Sequence, residues 1–86
     1  MTLIVFDIMP KNKQNERRYL IIDNDMKDKV IDRIKSANKL FNEKHHLTDP
    51  AESVEYILQV IYEDFGYTTG AELVDIEDTI VIEVIE

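Results

Sequence analysis

The apolar residues of this 86-residue chain change their spacing twice, and this change limits the folds that the chain can adopt. Near both ends they alternate with a period of two, which is typical of β-strands. Between about residues 25 and 65 they recur every three or four positions, which is typical of amphipathic helices. A chain of this length supports one core and buries about 60% of the surface that its unfolded form exposes. The sequence therefore predicts a single α+β domain over residues 1–86, with two helices packed on a small, mainly antiparallel sheet in the order ββααβ(β).

Two strands are predicted at the N-terminal end. Residues 3–9 have the sequence LIVFDIM, which places Ile4 and Phe6 on one face, and Pro10 ends this strand. A polar loop follows, and residues 18–23 have the sequence RYLIID, which alternates in the same way. A β-hairpin is the simplest connection between two such strands.

The first predicted helix begins at Asp25, which can act as its N-cap, and ends near Lys44. Lys44 is followed by His45 and His46, and positive charge is favourable at a helix C-terminus because of the helix dipole. The apolar residues that recur along one stripe of this helix are Met26, Val30, Ile34, Ala37 and Phe41.

The second predicted helix has a complete start signal in the segment TDPAE. Asp49 is the cap, Pro50 is the first helical residue, and Glu52 is the third residue after the cap. Gly66 ends the helix because it adopts the left-handed conformation without strain. The stripe predicted to be buried consists of Val54, Ile57, Leu58, Ile61 and Phe65.

The C-terminal segment AELVDIEDTIVIEVI contains either one long strand or two strands joined by a turn. We favour a short strand near residues 71–76, a turn at Glu77 and Asp78, and a strand over residues 79–85. In the last strand Ile80 and Ile82 share one face, and the intervening residues share the other.

Several classes of protein are disfavoured by composition. The chain has no apolar run near 18 residues and no pattern of a secretory signal, so we expect a cytoplasmic protein with no membrane partner. It has no cysteine, which excludes disulfides, zinc sites made of thiolates and cysteine nucleophiles. With only two glycines, it has no loop of the kind that cradles phosphate.

No catalytic constellation is visible, and we predict no enzyme activity, no cofactor and no metal site. Ser36 and Ser53 both fall within predicted helices and have no base beside them. A metal-dependent enzyme that uses His45, His46 and Asp49 is a third interpretation, but adjacent histidines rarely converge on one ion, and the aspartate already caps a helix.

Charge is divided unevenly along the chain, and this division is the strongest functional signal. Residues 1–46 carry all ten Lys and Arg with seven acids, a net charge of +3, whereas residues 47–86 carry eleven acids and no Lys or Arg, a net charge of −11. The whole chain has a net charge of −8. Direct binding of nucleic acid is disfavoured, because the only basic cluster is Lys11, Lys13, Arg17 and Arg18.

The acidic half suggests a binding surface for a basic protein. Acids at helical spacing along the second helix form a row of negative charge, which resembles a phosphate backbone electrostatically. The leading hypothesis is an inhibitor, of the kind that phages and mobile elements encode against host defence, that occupies the nucleic-acid-binding cleft of a basic host protein. The predicted partner-binding residues are Glu52, Glu55, Tyr56, Gln59, Val60, Glu63, Glu72, Asp75, Glu77, Asp78 and Glu83.

The strands suggest an alternative function, because apolar residues occur on both of their faces. Two helices cover only one face of a small sheet, so the remaining apolar side chains predict a partner, a homodimer or a helix that crosses to the second face. The alternative is therefore a homo-oligomeric structural or regulatory protein, assembled through its apolar sheet face and its oppositely charged halves.

Overall fold

The computed structural model of the chain describes residues 1–10, 13–44, 50–69 and 75–85. It confirms the α+β class, and the order of elements agrees with ββααβ. Among the described residues, no helix is long and apolar enough to cross a membrane. The elements are β1 (Thr2–Met9), β2 (Glu16–Ile22), a 3-10 turn (Asn24–Met26), α1 (Lys27–Lys44), α2 (Pro50–Phe65) and β3 (Asp78–Ile85).

The three strands form one mixed sheet in the order β2-β1-β3. β1 pairs with β2 in antiparallel and with β3 in parallel orientation, so the sheet is mixed and not mainly antiparallel. The helix lengths explain the difference, because α1 and α2 have 18 and 16 residues and so extend about 27 and 24 Å in opposite directions. The chain leaves the sheet at the end of β2 and therefore returns to it at the same end. There Ile22 and Asp78 both lie beside Thr2. From that end β3 runs parallel to β1.

The core lies between the two helices and the face of the sheet that we call the inner face. Alternate residues of β1 are buried there, with Ile4 and Phe6 at 0% exposure. The helices contribute residues at the spacing that the sequence predicts, but α2 is rotated slightly from the predicted phase, so that Leu58 is half-buried and Val60 is buried. The buried helix residues of the core are Val30, Ile34, Ala37, Val54, Ile57, Val60 and Ile61.

The opposite face of the sheet, which we call the outer face, is not covered by any element in the described part of the chain. Its apolar residues Leu3, Val5 and Ile21 do not join the core cluster, whereas both helices do. Tyr19 and Val81 on this face are 49% and 59% exposed. The described residues therefore form two layers, one of helices and one of sheet, and they leave the outer sheet face uncovered.

Two local predictions at the helix and strand starts are wrong. Asp25 lies within the 3-10 turn that leads into α1, so it is not the N-cap of a helix. No turn occurs at Glu77 and Asp78 either, because the Glu77 amide donates to the Met1 carbonyl at 2.9 Å and Asp78 is the first residue of β3. The short strand predicted near 71–76 falls largely outside the described residues, and its last two positions are not in a strand.

Gly66 ends α2 in the manner that the sequence predicts. Its φ angle is 80°, which is the left-handed region, and its amide donates to the Tyr62 carbonyl at 2.8 Å. A side chain at this position would meet no atom within 4 Å, so the cost of a substitution comes from backbone conformation alone. The next residue after this turn is Tyr67, whose hydroxyl contacts Asp23.

We predict that Gly66→Ala lowers the free energy of unfolding by about 1 kcal/mol, because alanine is strained in the left-handed region. Gly66→Asn serves as the matched control and should cost less, since asparagine tolerates this conformation. Urea unfolding followed by circular dichroism measures both. Equal stabilities for the wild type and the alanine variant would contradict this account of the helix end.

Candidate functional site

The predicted row of acids on α2 is present on the surface of the helix layer. Glu52, Glu55, Gln59 and Glu63 are exposed, and we call these four residues the acidic row. Their spacing of three or four residues places them on the side of α2 that faces away from the core. The Gln59 amide donates to the Glu63 carboxylate at 2.9 Å, which fixes the two side chains relative to each other.

The carboxylates of the acidic row are not neutralised by any cation within the described ranges. The ion pairs of those ranges involve neither Glu52 nor Glu55 nor Glu63. The neighbouring Asp64 differs, since it accepts from the Arg33 guanidinium at 2.6 Å and is thereby tied to α1. The negative charge available on α2 is therefore that of the acidic row.

A groove of about 410 Å³ lies beside the acidic row, between α2 and the edge strand β2. Leu58 and Tyr62 form its apolar part, and Tyr62 is 54% exposed. Neither residue was predicted to bind a partner, since Leu58 was assigned to the buried stripe, although Glu55, Leu58 and Tyr62 have the spacing of a single helix side. The other lining residues are Arg18, Glu55, Gln59, Tyr67, Thr68 and Thr69.

The apolar anchors predicted beside the acidic row differ from those observed. Val60 is only 6% exposed and belongs to the core, so its side chain cannot anchor a partner. Tyr56 is half-buried and packs against Phe41 of α1, with ring centroids 5.4 Å apart. Both residues contribute mainly to the contact between α2 and the rest of the protein.

The C-terminal acids do not extend the acidic row into one continuous field. Asp78 accepts from the Lys27 ammonium at 3.1 Å, and this hydrogen bond lowers the pKa of the Asp78 carboxyl. Glu77 accepts from the Asn24 amide at 2.7 Å and from the amino group of Met1 at 3.4 Å. These two acids are neutralised by the N-terminal half of the chain, because β3 begins next to the start of α1.

The remaining predicted acids lie elsewhere. Glu83 is opposite Asp7 in the register of β1 and β3, so it is on the outer face, away from the helices. Asp75 is exposed, and its carbonyl accepts from the amino group of Met1 at 3.2 Å. Glu72 lies outside the described residues. The predicted eleven-residue surface is therefore divided between the helix layer, the end of the sheet and the outer face.

The basic residues of the N-terminal loop and of β2 do not form one patch. Arg17 pairs with Asp7 at 3.7 Å, and Arg18 pairs with Glu16 at 3.2 Å. Lys11 lies outside the described residues, as do His45, His46 and Asp49, for which a metal site was considered. Among the residues that are described, no group of three or more His, Cys, Asp or Glu side chains has the arrangement of a metal site.

Comparisons of the chain with protein-family models, with curated proteins and with solved structures find no match.

Tyr67, which lines the groove, makes a hydrogen-bonded contact with Asp23. The Tyr67 hydroxyl donates to the Asp23 carboxylate at 2.8 Å and lies 3.4 Å from the Asp23 amide. Partial burial and the hydrogen bond to the Asp23 carboxylate raise the pKa of the Tyr67 phenol. The neutral phenol is thus favoured in the folded state, which joins the end of α2 to the end of β2.

We predict that Tyr67→Phe lowers the free energy of unfolding by about 1 kcal/mol at neutral pH, because it removes this hydrogen bond. Since the folded-state pKa is the higher one, the contribution of Tyr67 is present below the unfolded value of about 10 and is lost as pH rises through the folded value. The stability difference between wild type and variant should therefore shrink above about pH 10. Urea unfolding at several pH values measures it.

Tyr62→Phe is the matched control, since the Tyr62 hydroxyl makes no hydrogen bond with the described residues and the ring is exposed. It should leave the free energy of unfolding unchanged. A stability difference between wild type and Tyr67→Phe that stays constant through the alkaline range would contradict the account.

Proposed function

We propose that this chain is a non-enzymatic protein-binding domain that uses α2 to bind a basic, nucleic-acid-binding protein. The observation that supports this proposal is the acidic row, whose carboxylates are exposed and have no ion-pair partner within the described chain. An exposed carboxylate that has no partner within the chain can attract a basic surface during encounter and pair with it on contact.

The charge density of the acidic row limits how it can act. Glu52 and Glu63 are 11 residues apart, which is about 16 Å along the helix, and three carboxylates occupy that length. One strand of DNA carries a phosphate about every 3.4 Å of helix axis, so the row is a sparse imitation of it. Its main effect is therefore to attract and orient a basic cleft during encounter, and it cannot supply the full affinity alone.

Apolar contacts beside the acidic row supply the part of the affinity that charge does not. Tyr62 is exposed next to the row, and Leu58 forms the floor of the adjoining groove. Tyrosine in such a position is common among residues that dominate binding energy. Electrostatic attraction then sets the association rate, and burial of Tyr62 and Leu58 slows dissociation.

The partner that fits this surface normally holds a phosphate backbone in a positive cleft. Occupation of that cleft by α2 blocks nucleic acid without any chemical step, which is the action of an inhibitor. Phages and mobile elements encode inhibitors that act in this way on host nucleases and transcription factors, and the net charge of −8 fits such a role. We propose this anti-defence role as the biological setting of the interaction.

The test combines capture with competition. The protein is immobilised and exposed to a bacterial lysate, and duplex DNA is then added to the captured proteins. We expect a DNA-binding protein to be captured and to be displaced by the duplex, with an association rate that falls steeply as salt is raised. Capture that the duplex does not compete away would contradict mimicry.

We predict that changing Glu52, Glu55 and Glu63 together to Lys weakens binding of the captured partner by about tenfold or more, mainly through slower association. The matched control changes Asp28, Asp32 and Glu43, which are exposed on α1, to Lys. Both triple variants have a net charge of −2 and both lose one acid from a first helical turn. Surface plasmon resonance measures the rates, and an equal loss in both variants would exclude a specific role for the acidic row.

A further inference from the structure

The outer face of the sheet is ordered in three rows that cross the strands. The pairing registers place one residue of β2, one of β1 and one of β3 side by side in each row. Two rows are mainly apolar and the third is charged. From the start of β1 the rows are Ile21–Leu3–Thr79, then Tyr19–Val5–Val81, then Arg17–Asp7–Glu83.

The middle row has the most exposed apolar surface of this face. Tyr19 and Val81 are 49% and 59% exposed on either side of the half-buried Val5. No described helix or strand packs on them, since α1 and α2 belong to the core on the inner face. An apolar centre beside a row of charges is the usual composition of a protein-binding patch.

We propose that this face binds a second copy of the chain, sheet against sheet, with the two-fold axis parallel to β1. This dimer does not depend on the function proposed for α2, which lies on the other layer of the protein. A two-fold axis in this direction places each row opposite the same row of the second copy. The order of residues within the row is reversed, so β2 of one copy faces β3 of the other. Val5 then meets Val5 of the second copy, and Tyr19 meets Val81 of the second copy.

Charge complementarity selects this arrangement. The charged row carries Arg17 on the β2 edge and Glu83 on the β3 edge, so reversal places each opposite its counterpart in the second copy. Two intermolecular ion pairs form, and the long side chains can span the gap of about 10 Å between packed sheets. Asp7 faces Asp7 of the second copy across the axis, and each of these two carboxylates is held by Arg17 of its own chain at 3.7 Å, which offsets their repulsion. A guanidinium has donors for both carboxylates.

The other face-to-face arrangement is unfavourable. A two-fold axis perpendicular to the strands and centred on Val5 would place the charged row over the row that contains Leu3 and Ile21. Arg17, Asp7 and Glu83 would then lose water without gaining a partner of opposite charge, which is costly for any ionised group. Of these two arrangements, only the one with the axis parallel to β1 places opposite charges against each other.

The size of the face determines how tight the dimer is. Three strands of about seven residues cover roughly 14 by 23 Å, or about 330 Å² per copy. This is below the roughly 800 Å² per partner of a standard interface, so we expect a dimer that dissociates on dilution. Sedimentation equilibrium between about 10 µM and about 1 mM covers the range in which such a dimer forms.

The first test introduces a charge into the middle row of the face. Val81→Asp should abolish dimerisation over the whole concentration range, because the new carboxylate would be buried against an apolar surface. Leu40→Asp is the matched control, since Leu40 is 40% exposed on α1, away from the sheet. It should leave the dimer intact. A wild type that stays monomeric at about 1 mM, or an equal effect of both variants, would overturn the proposal.

The second test reverses the charges at the two edges. Arg17→Glu places two like-charged pairs in its own homodimer, and Glu83→Arg does the same with the opposite sign. Each variant alone should dimerise about tenfold or more weakly than wild type. An equimolar mixture of the two should associate more tightly than either variant alone, because both edge pairs in the heterodimer, residue 17 with residue 83, are again of opposite charge.

Recovery of association on mixing indicates a contact between two copies. A structural effect within one chain would not be repaired by mixing. A mixture that associates no better than its components would overturn the proposed orientation of the axis. Circular dichroism of each variant confirms that it is folded before the comparison is made.

Discussion

The pairing of both edge strands with β1 is the constraint on which the rest of the structure depends. Among the strands of the described residues, β1 is the one with two neighbours, and its alternating residues form the centre of both sheet faces. Ile4, Phe6 and Ile8 hold the two helices on the inner face, while Leu3 and Val5 leave the outer face apolar. One strand therefore determines both the stability of the core and the surface that is left for another chain.

Much of the fold can be predicted from the sequence, because the spacing of apolar residues indicates helices and strands directly. The two helices and the strands of the hairpin are visible in the periodicity, and Gly66 marks the helix end correctly. The parallel pairing of β3 is also a consequence of two helices of nearly equal length, although the alternation in β3 itself says nothing about direction. The side of α2 that faces the core is harder to predict from the sequence. Leu58 and Val60 are both apolar, and only packing determines which of the two is buried.

The candidate site was less predictable, because it depends on contacts between residues far apart in the chain. The sequence confines every Lys and Arg to residues 1–46, but folding brings the two halves together in Lys27–Asp78 and Arg33–Asp64. Such pairs are 51 and 31 residues apart, and periodicity carries no information about them. What remains of the acidic half as a coherent surface is the acidic row, where the acids lie on one side of a single helix. Local spacing is sufficient to find it.

The two proposed surfaces lie on opposite layers, so one chain can present α2 to a basic protein while its sheet face contacts a second copy. The claim that carries the function is that α2 makes the contact. The most direct test is a titration of ¹⁵N-labelled protein with the captured, DNA-displaceable partner, followed by nuclear magnetic resonance. The account predicts that amide shifts change along Glu52, Glu55, Gln59 and Tyr62 and at the adjoining groove. Changes confined to the outer face, around Val5 and Val81, would contradict it.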